Sequence, residues 1–364
     1  MGPCRVRAFK HRKKMNLIDL ISYFYEMKEG IRPSRHSAVT WLPYHPRTMW
    51  SRRFCLSASA ALLATPSLSR LAFAAAPPRR IGRIMVIGGA EDKLQDKVIL
   101  RRFVELSGGT EARIRVISTA SGDPEGAWQT YDRVFGELGV ADRAPIYIPD
   151  REAADSTEVS DQILGADGIF LSGGDQRRLM DKLWETQAFR ALHVAFHLRG
   201  SCIGGTSAGA AALSRNMLVQ GEATRLPEKE AAELDIGLGF VANAIVDQHF
   251  SERGRLGRLL SALAQRPDML GIGVDEDTAL VIERGQGVEV IGQGAVTVVD
   301  GRRMQSNHQE IDSRQRLELL GVRVHLLPAG HRYGNLPGEP RPRPMPPSLD
   351  EAVDLLVAPG PIRG

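Results

Sequence analysis

Cysteine is scarce in this chain, with three in 364 residues, at positions 4, 55 and 202. Cys4 and Cys55 stand in a stretch that reads as an N-terminal leader, so the remaining protein keeps Cys202 alone and has no intrachain disulfide. Cys202 lies in an apolar run just before a serine motif and is expected to be a small core residue, not a nucleophile. Long apolar runs are lacking too. The stretch that ends at Leu63 is soon followed by Pro66 and Arg70, and is too short to span a bilayer as a permanent helix. The string Gly88-Gly89-Ala90-Glu91-Asp92-Lys93 follows the apolar run Ile84-Met85-Val86-Ile87 as a nucleotide loop would, but it has neither G-x-G-x-x-G nor Gly-Lys-Ser/Thr, so phosphate binding is unsupported. His193 and His197 stand at i and i+4 without the Glu of H-E-x-x-H or a third ligand. They are expected to be packing or surface residues, and no metal or cofactor is expected.

The basic balance of the chain, formally +4, is a property of one end. Residues 1–74 hold 13 of the 47 Lys and Arg and three of the 43 Asp and Glu, which leaves residues 75–364 with 34 basic and 40 acidic side chains. Nothing in that remainder favours nucleic acid or an anionic membrane surface as a partner. Ser51-Arg52-Arg53-Phe54-Cys55-Leu56 begins a twin-arginine signal pattern, followed by an apolar stretch and a small-residue exit at Ala72-Phe73-Ala74. Export to the periplasm or the medium is expected, with residues 49–74 as the signal. Residues 1–48 are then upstream sequence from a misassigned start, with Met49 the initiator.

Apolar runs at 83–87, 113–118, 144–148, 168–171, 201–204, 243–247 and 271–274 alternate with helical patterns at about 93–106, 127–138, 177–199, 208–214 and 253–264. Such alternation predicts an α/β fold, a three-layer sandwich whose central sheet is mostly parallel and covered on both faces, of the class I glutamine amidotransferase-like or flavodoxin-like kind. The runs at 278–282, 288–292 and 295–299 are predicted to be antiparallel strands finishing one edge of that sheet. The catalytic domain is expected to span 75–333. Residues 334–364, rich in proline and glycine, read as a tail with a short helix capped near Ser348 and running through Leu356.

What the chain does contain is Gly205-Thr206-Ser207-Ala208-Gly209, a G-x-S-x-G string between a short apolar run and an alanine-rich stretch. A sharp strand-to-helix turn has no room for β-carbons beside the serine, and the helix that follows aims its first amides where an oxyanion would develop. A Gly/Ser-rich turn without chemistry would carry the same letters. A serine hydroxyl needs a base, and the base an orienting acid. Ala244-Ile245-Val246-Asp247-Gln248-His249-Phe250 places an imidazole at the exit of an apolar run. Gly271-Ile272-Gly273-Val274-Asp275-Glu276-Asp277 places carboxylates at another. Ligands sit at strand ends in open α/β sheets, so Ser207, His249 and Glu276 are expected to converge. Their order also differs from that of the α/β-hydrolases, where the acid precedes the histidine.

In these strings, together with Gly173-Gly174-Asp175-Gln176 and the arginines Arg253, Arg255 and Arg258, the chain resembles the cyanophycinases, members of a serine-peptidase family that also contains the aspartyl dipeptidases. The resemblance covers roughly residues 81–300. Cyanophycin is a polyaspartate whose side-chain carboxyls carry arginine in isopeptide linkage. The resemblance implies exopeptidase cleavage of that backbone to β-Asp-Arg dipeptides through an acyl-enzyme, with Ser207 as nucleophile, His249 as base and then acid, and Glu276 as orienting carboxylate. The backbone amides of Gly174, Asp175 and Ala208 would form the oxyanion hole. Gln176, Asp247, Gln248, Arg253, Arg255 and Arg258 would bind a substrate that carries both a carboxylate and a guanidinium. A solvated helix face is the alternative reading of the arginines. The resemblance also suggests a homodimer. Two other functions stay open: an aspartyl dipeptidase of the same family, and a periplasmic binding protein that kept the pocket and lost turnover.

Overall fold

The computed structural model describes residues 82–335 and 344–358. The expected upstream extension and signal segment lie outside the described residues. In chain order the elements are β1 (Arg83–Ile87), α1 (Val98–Ser107), β2 (Ile114–Ile117), α2 (Pro124–Glu137), β3 (Arg143–Ile146), α3 (Arg151–Ala154), α4 (Thr157–Gly165), β4 (Gly168–Leu171), α5 (Gln176–Leu183) and α6 (Gln187–Val194). A π-helical turn, Ala195–Arg199, leads into β5 (Cys202–Thr206) and α7 (Ala208–Ala212). Then come β6 (Asn216–Gly221), β7 (Ala232–Ile236), β8 (Ala244–Gln248), α8 (Leu256–Gln265), β9 (Leu270–Val274), β10 (Thr278–Glu283), β11 (Gly287–Gly292), β12 (Ala295–Asp300), β13 (Gln305–Ser306), β14 (Leu319–Leu320), β15 (Arg323–Pro328), β16 (His331–Gly334) and α9 (Pro347–Val357).

An eight-stranded sheet runs in the order β16-β11-β10-β1-β5-β4-β2-β3. From β1 to β3 every pair is parallel, and from β1 to β16 every pair is antiparallel. Along β1 the side chains alternate as a pleat requires. Met85 and Ile87 join the core beneath α1 and α2, with Phe103, Tyr131 and Phe135. Ile84 and Val86 join the larger core on the opposite face. The α/β expectation therefore holds at the level of a mixed, mostly parallel sheet with helices on it. No helix among the described residues is long and apolar enough to cross a membrane.

Two expectations are corrected. The runs at 243–247 and 271–274 do not continue the central sheet. They become β8 and β9, parallel to one another, in a separate four-stranded sheet ordered β15-β12-β9-β8. The run at 295–299, expected at the edge of the central sheet, pairs there as β12. Every residue of β8 and β9 is buried, so neither run carries an alternation that could mark which sheet it joins. The second correction concerns the boundary expected at 333: the short helix read through Leu356 forms as α9, but it belongs to the domain and not to a separate tail. α9 buries Leu349, Ala352, Val353, Leu356 and Val357 in the larger core. Its end is tied down where Asn243 Nδ2 donates to the Leu355 carbonyl at 3.0 Å and the Gly285 amide donates to that of Val357 at 3.0 Å.

Candidate active site

Ser207 sits where β5 stops and α7 starts, with φ 52° and ψ −112°, a backbone state that a non-glycine residue adopts only when its surroundings enforce it. The enforcement is steric. A β-carbon on Gly205 would stand 2.5 Å from the carbonyl oxygen of Gly209, and one on Gly209 would stand 2.4 Å from that of Leu171. The turn is thus packed too closely for any side chain except the one it projects. The Ser207 amide donates to the Ile87 carbonyl at 3.0 Å, which ties the elbow to β1.

Beneath the elbow lies a buried carboxylate from the loop after β1. Glu91, 3% exposed, accepts from Thr206 Oγ1 and from the Tyr131 hydroxyl, each at 2.6 Å, and pairs with Lys93 Nζ at 2.9 Å. Burial, and then the Glu91 charge, pushes the Tyr131 phenol well above its ordinary value. Asp92 holds the same loop by accepting from the amides of Gln95, Lys97 and Leu94, and these bonds lower its carboxyl to about 2. Tyr131 has no motif around it and could not have been singled out from sequence.

His249 follows β8 in the left-handed region, with φ 46°. Its amide donates to the Gly88 carbonyl at 2.8 Å, and its ring lies over Gly89, where a β-carbon would come within 2.3 Å of Cε1. That contact, together with a φ of 103°, is why the first loop needs glycine there. The imidazole is held from both sides, with Nε2 2.9 Å from Ser207 Oγ and Nδ1 2.5 Å from Glu276 Oε1. If Nδ1 carries the proton and donates to Glu276, Nε2 is left as an acceptor facing the serine hydroxyl. Glu276 is fixed in turn. Its amide donates to Glu252 Oε2 at 3.2 Å, and the next amide, of Asp277, donates to the Gly89 carbonyl at 2.9 Å. The Asp92 amide closes the link by donating to Asp277 Oδ1 at 2.9 Å. Glu252 and Asp277 were not legible as site residues, because both act through backbone contacts between segments remote in sequence.

For an oxyanion the geometry offers the first amide of α7, at Ala208, and the turn after β4. Gly173 abuts the serine, since a β-carbon there would lie 3.3 Å from Ser207 Cβ. Among the described residues the amides of Ala208 and Gly174 have no hydrogen-bond acceptor. Asp175 is corrected: its amide is committed to the Ala120 carbonyl at 2.8 Å, while its carboxylate caps α5 by accepting from the Arg177 amide at 2.8 Å.

The six residues expected to bind substrate are placed differently from one another. Asp247, 1% exposed, accepts from Arg258 through both carboxylate oxygens, at 3.0 Å from Nε and more closely from Nη2. Arg258 Nη1 also donates to the Gly221 carbonyl at 2.9 Å. Contrary to expectation, this pair faces inward, since a buried charge needs a partner, and Arg255 Nη1 reaches the same carboxylate at 3.5 Å. Arg255 donates to the Gln248 side chain at 2.9 Å and to its carbonyl, and desolvation lowers its guanidinium to about 10. Gln176 Nε2 is bound to the Leu218 and Val219 carbonyls of β6. Arg253 is exposed. Away from the site, His193 and His197 stack at 5.5 Å, with His193 Nε2 against the Leu238 carbonyl at 2.9 Å and His197 Nδ1 against Arg284 at 2.7 Å. Cys202 is buried in β5, and burial raises its thiol to about 12.

A strained serine at a strand-to-helix elbow, an imidazole within hydrogen-bond reach and a carboxylate behind it define a serine hydrolase. Comparison narrows the class. The chain belongs to peptidase family S51, whose sequence pattern it matches over residues 84–291, and it is a peptidase. It is 39% identical over 258 residues to a cyanophycinase of Geminocystis herdmanii, an alignment covering 71% of this chain and 95% of that protein. A cyanophycinase of Synechococcus elongatus is 39% identical over 253 residues, 69% of this chain and 79% of the other. Among solved structures, a peptidase from an acI-B1 Actinobacterium shares the fold with a TM-score of 0.51 at 22% identity, over 70% of this chain and 98% of that one.

Proposed function

We propose that this protein is a serine-type exopeptidase that hydrolyses cyanophycin to β-Asp-Arg dipeptides through an acyl-enzyme. The observation that carries the reading is the relay itself, Ser207 Oγ to His249 Nε2 at 2.9 Å and His249 Nδ1 to Glu276 Oε1 at 2.5 Å, in a chain similar over most of its length to cyanophycinases. Oγ attacks the aspartyl carbonyl as its proton passes to Nε2, while Glu276 stabilises the imidazolium that forms. The Ala208 and Gly174 amides bind the oxyanion. Collapse breaks the C–N bond, and the leaving amine takes the proton from Nε2. Water, deprotonated by the same nitrogen, then attacks the ester, and Ser207 regains its proton. Arg253 at the rim, with Arg255 steadied by Gln248, is the cationic pair offered to a substrate carboxylate.

Incubating the protein with cyanophycin and with α-aspartyl dipeptides, beside Ser207→Ala, tests the reading. Release of β-Asp-Arg from the first substrate, by the parent alone and without long intermediates, is the expected result. Cleavage of the dipeptides only would favour an aspartyl dipeptidase, and binding without product by parent and variant alike would favour a binding protein. The glutamine amidotransferase-like assignment of the sheet belongs to the same proposal and is supported by the elbow at the end of β5. So do export and a homodimer. Export rests on the twin-arginine string alone and is checked by fractionating the cells that make the protein.

A further inference from the structure

Glu91 bears a charge at a depth where most side chains of this fold are apolar. Such a carboxylate is tolerated only when donors surround it, and Glu91 has three. The Tyr131 hydroxyl and Lys93 Nζ meet Oε1 at 2.6 and 2.9 Å, and Thr206 Oγ1 meets Oε2 at 2.6 Å. Lys93 is folded back on its own turn, since Nζ also donates to the Glu91 carbonyl at 3.1 Å and lies 5.5 Å from the centre of the Tyr131 ring. A buried ion pair adds little stability over an apolar filling of the same shape, so what this cluster supplies is geometry.

Tyr131 is the fixed end of that geometry. Its ring packs 4.7 Å from that of Phe170 in β4 and 6.1 Å from that of Phe135 in α2, so the core beneath α1 and α2 sets its hydroxyl and, through it, Oε1. The other end is Thr206, the last residue of β5, which runs directly into the strained turn at Ser207. Between the two ends lies the loop that holds the base and the acid. Its Gly88 carbonyl accepts from the His249 amide at 2.8 Å and its Gly89 carbonyl from the Asp277 amide at 2.9 Å, while its Asp92 amide reaches Asp277 Oδ1 at 2.9 Å. Glu91 and Asp92 thus face opposite ways, one toward the nucleophile's strand and one toward the carboxylate's turn.

Sheet pairing sets β5 beside β1, with Thr206 opposite Ile87, but the loop begins at the next residue and needs its own tie to the elbow. We propose that Glu91 is a positioning residue that sets the 2.9 Å span from Ser207 Oγ to His249 Nε2, acting through the Thr206 hydroxyl. It touches no reacting atom. The inference rests on the relay of Ser207, His249 and Glu276, and is independent of which peptide is the substrate.

The test reads the rate at which phenylmethylsulfonyl fluoride labels Ser207, followed by intact mass. In that reaction Oγ displaces fluoride from sulfur while His249 takes the proton, so the rate reports the relay without a peptide. Thr206→Val keeps the shape and removes the hydroxyl, and is expected to slow labelling of the folded protein at least about tenfold at every pH, because a small displacement spoils the alignment of serine and base. Thr206→Ser puts the hydroxyl back and is expected to recover most of the lost rate. If Thr206→Val does not fold, Glu91→Asp decides, since it keeps the charge but shortens the tie by one methylene, and the same loss is expected. Labelling of the tested variant at the parent's rate overturns the proposal. So does an equal loss in Thr206→Ser and Thr206→Val, which would assign the effect to packing, or a loss confined to low pH, which would assign it to charge. With cyanophycin, kcat is expected to fall in these variants with KM nearly unchanged. If the parent cuts no cyanophycin, the proposed substrate fails while labelling still decides this inference; a parent that is not labelled at all overturns the relay and the inference together.

Discussion

Ser207 is one of a group of non-glycine residues with positive φ that the site gathers, together with Ala90, His249 and Asp277. Each costs on the order of 1–3 kcal/mol relative to an ordinary backbone, and such residues persist only where surrounding contacts over-determine them. Here the contacts are visible: the Ser207 amide on Ile87, the His249 amide on Gly88 and the Asp277 amide on Gly89. The elbow is thus held rigid before any substrate arrives, as catalysis by a preorganised site requires. Glu276 acts on the reaction only through the imidazole. Replacing it with Gln keeps the shape but weakens the hold on the Nδ1 proton and the support for the imidazolium. We expect Glu276→Gln to lower kcat by about 10²–10⁴-fold with KM nearly unchanged, measured by steady-state release of dipeptide.

At the scale of elements, the site is a meeting of three strand exits from two sheets. β5 of the large sheet supplies the serine, while β8 and β9 of the small sheet supply the histidine and the carboxylate. The loop after β1 bridges them through Gly88 and Gly89, so a segment without catalytic side chains fixes the relay's dimensions. α9 shows how far such support extends. It packs in the same core as β11, β16 and the small sheet, with Leu356 7% and Val353 2% exposed. Leu356→Ala is expected to cost about 2–5 kcal/mol, read as a lower urea midpoint at constant slope. A tail lying free of the core would leave the midpoint unmoved.

For the whole molecule, acid should be the weak direction. His197, within the π-helical turn before β5, accepts from Arg284 in the turn between β10 and β11, and so joins the parallel and antiparallel halves of the large sheet. Desolvation, then the charge of Arg284, then His193 lower its imidazole from 6.5 to about 3. The folded state therefore binds this proton less readily than the unfolded chain does. The stabilisation is present above the unfolded value near 6.5 and is lost progressively as pH falls through that value toward the folded one near 3. Urea melts at a series of pH values should show stability falling below about 6.5, and His197→Gln should flatten that slope. An equal slope in the variant would remove His197 as the cause.

The elbow, the three candidate catalytic side chains and the α/β class were all legible, because each is a local property of the chain. Glycine at two residues' distance from a serine is a steric requirement written in adjacent letters, and alternating apolar and helical patterns require no knowledge of partners. What the letters could not carry was pairing. β8 and β9, buried on both faces, fit either sheet by composition, and only packing against α7 and α8 decided between them. Asp247 and Arg258 read as binding groups because the resemblance implies a substrate that carries both charges, yet burial turned them toward each other. The amide of Asp175 was lost to Ala120 for a similar reason, since a backbone donor goes to whichever acceptor the fold brings near. By itself, then, the sequence determined which residues could do chemistry and which local turns present them. Tertiary structure alone decided which polar groups remain free to do it, because in a packed interior each donor and charge is claimed by its nearest partner, and nearness depends on contacts between segments far apart in the chain.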